Sequence, residues 1–282
     1  MPKYIPVKAD FLRSAAENFQ FVPQQPRTEI EYKRAYARAA MAAGLTREQV
    51  VRIYAFESGG DGNYDVQAGL EKPVSGAHAI STALGYNQLL NANTIALLAK
   101  DGDAFLGQLR QKAARSAGRE KELFEQRIAA LERMVRFCQS VPYDWSEHEK
   151  LAGTPEGIGV HAVVLDVDVG PLLQAQNLLD SVLFARRAAL QRVLTAAELE
   201  MMNLTGDGNG LDMITLPQDA RGKIPTANFF RQDGYERNPI AIRNNVVSAL
   251  IDATNAVMDR ESALSGAKDL DREYLAAQRA WR

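Results

Sequence analysis

The stretch AFESGGDGNYD, Ala55 to Asp65, places a glutamate at the end of an apolar helical row, just before two glycines and a run of small polar residues. Upstream, Thr46-Arg-Glu-Gln49 reads as a capping box, in which the Thr46 hydroxyl and the Gln49 side chain satisfy each other's orphan backbone amides and start a helix. On that helix Val50, Ile53, Tyr54 and Glu57 stand at i, i+3, i+4 and i+7, so the carboxyl of Glu57 extends the apolar stripe. An apolar wall and the negative end of the helix dipole both disfavour its charged form, which should lift its pKa above the reference of ~4.3 and make it a usable general acid. The same pattern also fits a partly exposed glutamate paired with a nearby arginine in the last helical turn.

Around this stretch the chain reads as mostly helical. Glu29 to Ala43 is rich in Ala, Arg, Lys and Glu and stops at Gly44, a C-terminal glycine cap. Phe124, Ile128, Leu131, Val135 and Cys138 recur at helical spacing, which predicts one long helix from about Ala104 to Phe137 with a possible break at Gly118. Leu172 through Leu194 marks another long helix, Thr195 with Glu198 caps a short one, and Ile240 to Met258 and Asp269 to Trp281 complete the set. From Gly59 to Thr82 glycine, proline, serine and asparagine predict loop with at most a small hairpin, and valine-rich Val160 to Val169 predicts a short strand or extended connection. No repeat or linker divides the chain, so one domain over 1–282 is the expected organisation, predominantly α.

The bounds are permissive. A chain of 282 residues buries enough surface to fold without crosslinks, and the single cysteine, Cys138, sits in an apolar row as an inert buried thiol. With 33 basic against 35 acidic residues, the net charge of -2 gives no global argument for nucleic acid or an anionic membrane. No segment reaches the roughly 18 apolar residues that span a bilayer, and the start MPKYIPVKADF has no apolar run of the kind a secretory signal carries.

A second stretch sharpens the reading of Glu57. Downstream lies STALGYNQLLNANT, Ser81 to Thr94, after the glycine-rich loop. Glu57-Ser58 followed by Ala83-x-Gly85-x-x-Gln88-Leu89 and then Thr94 resembles the soluble lytic transglycosylases within the goose-type lysozyme superfamily, over about residues 46–100. The resemblance implies a lysozyme-like helical core (α+β lysozyme-like in class), elaborated by additional helices over about 104–200. It places the catalytic acid on Glu57, a supporting serine on Ser58 and a sugar-contacting glutamine on Gln88. Tyr86 and Asn87 stand where the family has Leu-Met, giving a more polar wall to the saccharide cleft. The family's Ala-Tyr-Asn-x-Gly segment is absent; the nearest stretches are Thr226 to Phe230 and Gly234 to Asn238, where Tyr235 stands for the family's late tyrosine near the acid.

The implied substrate is a peptidoglycan glycan strand, and no cofactor is needed. Protonated Glu57 would donate to the oxygen of the β-1,4 bond between N-acetylmuramic acid and N-acetylglucosamine as the ring gains oxocarbenium character. The resulting carboxylate then takes the proton of the muramoyl C6 hydroxyl, which closes a 1,6-anhydro ring. Such a substrate places the protein in the periplasm or outside the cell. A lysozyme-type hydrolase would need a second carboxylate, for which Asp61 and Asp65 are nearest in sequence, although aspartate in a glycine-rich loop serves backbone capping as well. The other class to weigh is a noncatalytic helical scaffold or glycan-binding module, favoured by the missing third motif.

Other features carry less. Thr205 to Asp212 suggests a calcium loop, but Leu211 occupies a ligand position and Gln218 the closing glutamate's place, so it fails as an EF-hand. His78, His148 and His161 lack metal-ligand spacing, and no metal site is expected. Arg110 to Arg136 reads as a solvated helix face, and Tyr143 and Trp145 suit either packing or sugar stacking.

Overall fold

The computed structural model describes residues 4–71, 75–236 and 238–281. Lys72 to Val74 of the glycine-rich loop and Arg237 of the late tyrosine segment lie outside them. Among the described residues every regular element is a helix, so the molecule is predominantly α. In chain order these are α1 (Lys8–Phe19), α2 (Glu29–Ala42), α3 (Arg47–Ser58), α4 (Asn91–Arg115), α5 (Gly118–Cys138), α6 (Trp145–Ala152), α7 (Pro155–Val160) and α8 (Gly170–Arg187). There follow α9 (Ala196–Thr205), α10 (Asp207–Thr215), α11 (Gln218–Arg221), α12 (Gln232–Glu236), α13 (Pro239–Arg243), α14 (Val247–Glu261) and α15 (Ser265–Trp281). No single described helix is long and apolar enough to cross a membrane.

Packing sorts the chain into two compact units, Met1–Ala39 with Gly62–Gln176, and Ala40–Asp61 with Asn177–Arg282. The chain passes from one to the other inside α2, after Asp61, and inside α8. In the first unit α4 packs on α5 and α6, and α1 on α7, around a core that includes Phe11, Leu98, Leu131, Met134, Val163 and Leu173. Cys138 belongs to this core, and burial pushes its thiol up. In the second unit α3 packs against α9, α14 and α15, and α9 also meets α10. Ile53, Tyr54, Leu199, Met201, Leu250 and Leu270 are fully buried there.

Several sequence expectations change in detail. The helix expected over Ala104 to Phe137 is interrupted at the break that Gly118 suggests: α4 ends at Arg115 and α5 opens at Gly118, whose φ of +54° is a left-handed conformation natural to glycine. The row Leu172 to Leu194 ends as helix at Arg187, and Ile240 to Met258 is split into α13 and α14 around Asn244. Val160 to Val169 is no strand: Thr154 caps and Pro155 opens α7, which runs into a 3₁₀ turn over His161–Leu165. These valines are wholly buried, so tertiary burial overrides their β preference. The turn stops where Asp166 accepts backbone N–H groups from Gln24, Asp168 and Val169. The glycine-rich loop holds only isolated antiparallel bridges, Gln67 with Leu84 and Leu84 with Leu89.

Charged residues are also not all where expected. Within the supposedly solvated row Arg110 to Arg136, Arg127 is buried and its guanidinium donates to Asp166 and Asp168, each at 2.8 Å. Buried His161 is satisfied by Thr94 and the Thr82 carbonyl, both at 2.8 Å. Asp207 to Asp212 lies in helix α10, and among the described residues no group of three acidic, histidine or cysteine side chains is placed to hold a metal.

Candidate functional site

Helix α3 is fixed at both ends. At its start Thr46 Oγ1 accepts from the Gln49 amide while Gln49 Oε1 accepts from the Thr46 amide, closing the capping box. Its end is a left-handed C-cap at Gly59, followed by Gly60 at φ +74°. A Cβ on Gly60 would lie 2.4 Å from the Glu261 carbonyl oxygen, so the backbone approach itself requires glycine. Gly60 O accepts from Ala267 N at 2.8 Å, and Asp61 Oδ1 accepts from Ser265 Oγ and Gly266 N at 2.8 and 2.7 Å. Asp61 therefore caps α15 and ties the tail of α3 to it. Ser58 is buried, with its hydroxyl donated to the Tyr54 carbonyl at 2.6 Å.

Glu57 projects from this clamped tail towards α9. That helix opens on a second capping box, Thr195 with Glu198, reinforced by a bidentate bond from Arg192 to the Glu198 carboxylate, both arms at 2.6 Å. Its sequence AAELEMMNLT is buried on nearly every side, and Gly210 of α10 lets the two helices close: a Cβ there would sit 2.3 Å from Met202 Cα. Two polar side chains face Glu57 from α9. Asn203 Nδ2 donates to Glu57 Oε1 at 2.7 Å and reaches Glu200 Oε1 at 3.5 Å. Glu200 is fully buried and lies within hydrogen-bond reach of Glu57. Asn203 is itself oriented by Asn177, whose Nδ2 donates to its Oδ1 at 3.4 Å.

Glu57 keeps some accessible surface, yet its carboxyl is packed deeply enough for desolvation to dominate its ionisation. Burial raises its pKa to about 7, against smaller opposing effects of the hydrogen bonds from Glu200 and Asn203. Glu200 is raised well above the usual carboxylate range, first by burial and then by the neighbouring charge of Glu57. The chemistry available is a carboxylic acid about half protonated at neutral pH, on a residue that keeps some accessible surface, with a fixed amide donor on one oxygen.

The other residues marked in the sequence are placed differently. Tyr86 and Asn87 are wholly buried in the first unit. The Tyr86 hydroxyl donates to Glu29, and Asn87 bonds Gln174 through its backbone N–H (2.9 Å) and its side-chain amide (2.8 Å), while accepting from the Tyr36 hydroxyl. Neither faces solvent, so the polar cleft wall expected of them is an internal network. Gln88 takes φ 46° and donates its side-chain amide to the Val66 and Gly85 carbonyls, at 3.1 and 2.8 Å. Tyr235 is partly exposed on α12, edge-on to Phe230. Asp65 pairs with Lys8 at 2.5 Å. Tyr143 is exposed and stacks edge-on to the His148 ring.

Sequence reasoning missed Glu200 and Asn203. The available signal is that α9 is apolar all round; in such a helix Glu198 is explained by its cap, whereas Glu200 has no solvent face to point to. A groove of about 830 Å³ lies at the opposite end of α3. Its lining cations Arg47, Arg52 and Lys268 are matched in number by Glu48, Asp259 and Asp271, which leaves no charge preference. Comparison with protein-family models, curated proteins and solved structures yields no match, so the site is read from its own geometry.

Proposed function

We propose that this chain is a lytic transglycosylase on a lysozyme-like helical fold, cleaving the β-1,4 bond between N-acetylmuramic acid and N-acetylglucosamine to leave 1,6-anhydro ends. The observation that carries the reading is Glu57, a desolvated, partly accessible carboxylic acid held by Asn203 on a rigid helix end. In the reaction it donates its proton to the glycosidic oxygen as the C1–O bond breaks, and its carboxylate then takes the C6 hydroxyl proton as that oxygen closes on C1. The distance between the two glutamates favours this route over hydrolysis. Glycosidases that use two carboxylates hold them about 5 to 9.5 Å apart so that a sugar or water fits between. Glu57 and Glu200 are within hydrogen-bond reach, which leaves no such room. The substrate lies outside the cytoplasmic membrane, and the same location is proposed for the protein.

Digestion of purified sacculi tests this. Wild-type protein should release anhydromuropeptides, and Glu57→Gln should lower the rate by about 10²-fold or more, the usual contribution of general acid–base catalysis. Products with reducing ends would make it a hydrolase. The internal use of Tyr86, Asn87 and Gln88 favours a second reading, a noncatalytic glycan-binding module. That reading gains if sacculi pull the protein down while neither protein releases any product.

A further inference from the structure

We propose that Glu57 and Glu200 act as one carboxyl dyad clamped by Asn203, in which Glu200 keeps a proton of its own and donates it as a hydrogen bond that holds the Glu57 carboxyl in place. The argument begins with what surrounds Glu200. It is fully buried on α9, and among the described residues it has no ion-pair partner and its Oε2 has no group that can donate to it. A carboxyl in that position stays neutral, and its O–H then needs an acceptor. The carboxyl of Glu57 is within reach, and the Asn203 amide spans Oε1 of both glutamates.

The charges on neighbouring elements do not alter this. Arg52 on α3 is held by Asp259 and Asn255 of α14, and Arg47 by Asp271 of α15. Arg192 binds Glu198, Arg260 binds Glu261, Arg272 binds Asp269, and Asp207 at the start of α10 accepts from Ser181. None of these, nor Lys268 of α15, enters the ionisation of either glutamate. Two carboxyls this close, without a cation, do not both ionise at neutral pH.

The catalytic part of the proposal rests on the transglycosylase reading. The proton on Glu57 passes to the leaving oxygen and is replaced from the C6 hydroxyl, while the Glu200 proton stays where it is. Glu200 is thus a positioning residue. Its bond steadies the transient Glu57 carboxylate and keeps the other oxygen aimed at the substrate.

The test is a carboxyl ¹³C NMR titration of the full chain carrying labelled glutamate, with each variant's missing resonance giving the assignment. In wild-type protein both glutamates should titrate above the ordinary range, Glu57 first. Glu200→Leu removes the donor and should raise the Glu57 midpoint by about one unit or more, the size that marks a coupled pair. Glu200→Gln restores a donor and should return the midpoint to near the wild-type value. If Glu200→Leu does not fold, Glu57→Gln carries the test in reverse, since loss of the neighbouring charge should lower the Glu200 midpoint. A Glu57 midpoint that is the same in wild type and Glu200→Leu, or a Glu200 midpoint that ignores Glu57→Gln, overturns the dyad. On sacculi the alkaline limb of the rate profile should move up with the NMR midpoint in Glu200→Leu, and an unmoved limb overturns the positioning role. A dyad that titrates as a pair in a protein that releases no anhydromuropeptide sustains the pairing and removes the transglycosylase reading, so the two failures are distinct.

Discussion

A glutamate with a folded-state pKa near 7 weakens the fold that holds it. Glu57 is raised from an ordinary value of 4.5 to about 7, so its contribution is whole below 4.5 and is lost as pH rises to about 7, because the unfolded chain ionises first. Glu57→Gln removes that penalty. Its melting temperature should match wild type near pH 4.5 and exceed it by a few degrees at pH 8, with each ~1 kcal/mol appearing as roughly 2–4 °C in a chain of this size. A gap that does not widen with pH would show that Glu57 ionises normally. Asn87 makes the opposite prediction, since it serves the fold. Asn87→Ala leaves the Tyr36 hydroxyl and the Gln174 backbone carbonyl short of partners and should cost about 1–3 kcal/mol, read as a lower denaturation midpoint at unchanged slope. Glu57 was legible because its position on a 3.6-residue row is a local property. The burial of Tyr86 and Asn87 was not, since it depends on Tyr36 and Gln174, about fifty residues before and ninety after.

At the level of elements, what could be read locally was read well. The sequence predicts caps at Thr46 and Thr195, and each closes its box in the structure. Thr46→Ala should therefore destabilise by about 1 kcal/mol, with the loss visible in chemical denaturation. Long-range pairing escaped the same reasoning. Arg127 looked like one more charge on a solvated face, yet it joins Asp166 and Asp168 inside the first unit. Arg127→Ala would strand the fully buried Asp166 carboxylate, and a loss of about 3–5 kcal/mol is expected in the same experiment. The valine-rich stretch after α7 failed for a related reason: its residue types favour strands, but the site they fill in the core is a tight helical turn.

For the whole molecule, the division into two units left no mark in composition, because two of the crossings fall inside helices α2 and α8 where no linker residues are needed. Each unit is assembled from separate stretches of chain, and α3 reaches α9, α14 and α15 from more than a hundred residues away. A fragment of residues 177–282 should then be poorly ordered by circular dichroism and gain helix on addition of a peptide spanning 40–61; a fragment fully folded alone would contradict this. The thiol in the first unit's core has a practical corollary. Because Cys138 is the chain's lone cysteine and is shielded from solvent, maleimide and disulfide reagents should leave the native protein untouched and modify it only after denaturation. A cysteine engineered onto any surface position would become the single handle for a fluorophore or spin label, and distance measurements by resonance transfer need no prior removal of native thiols.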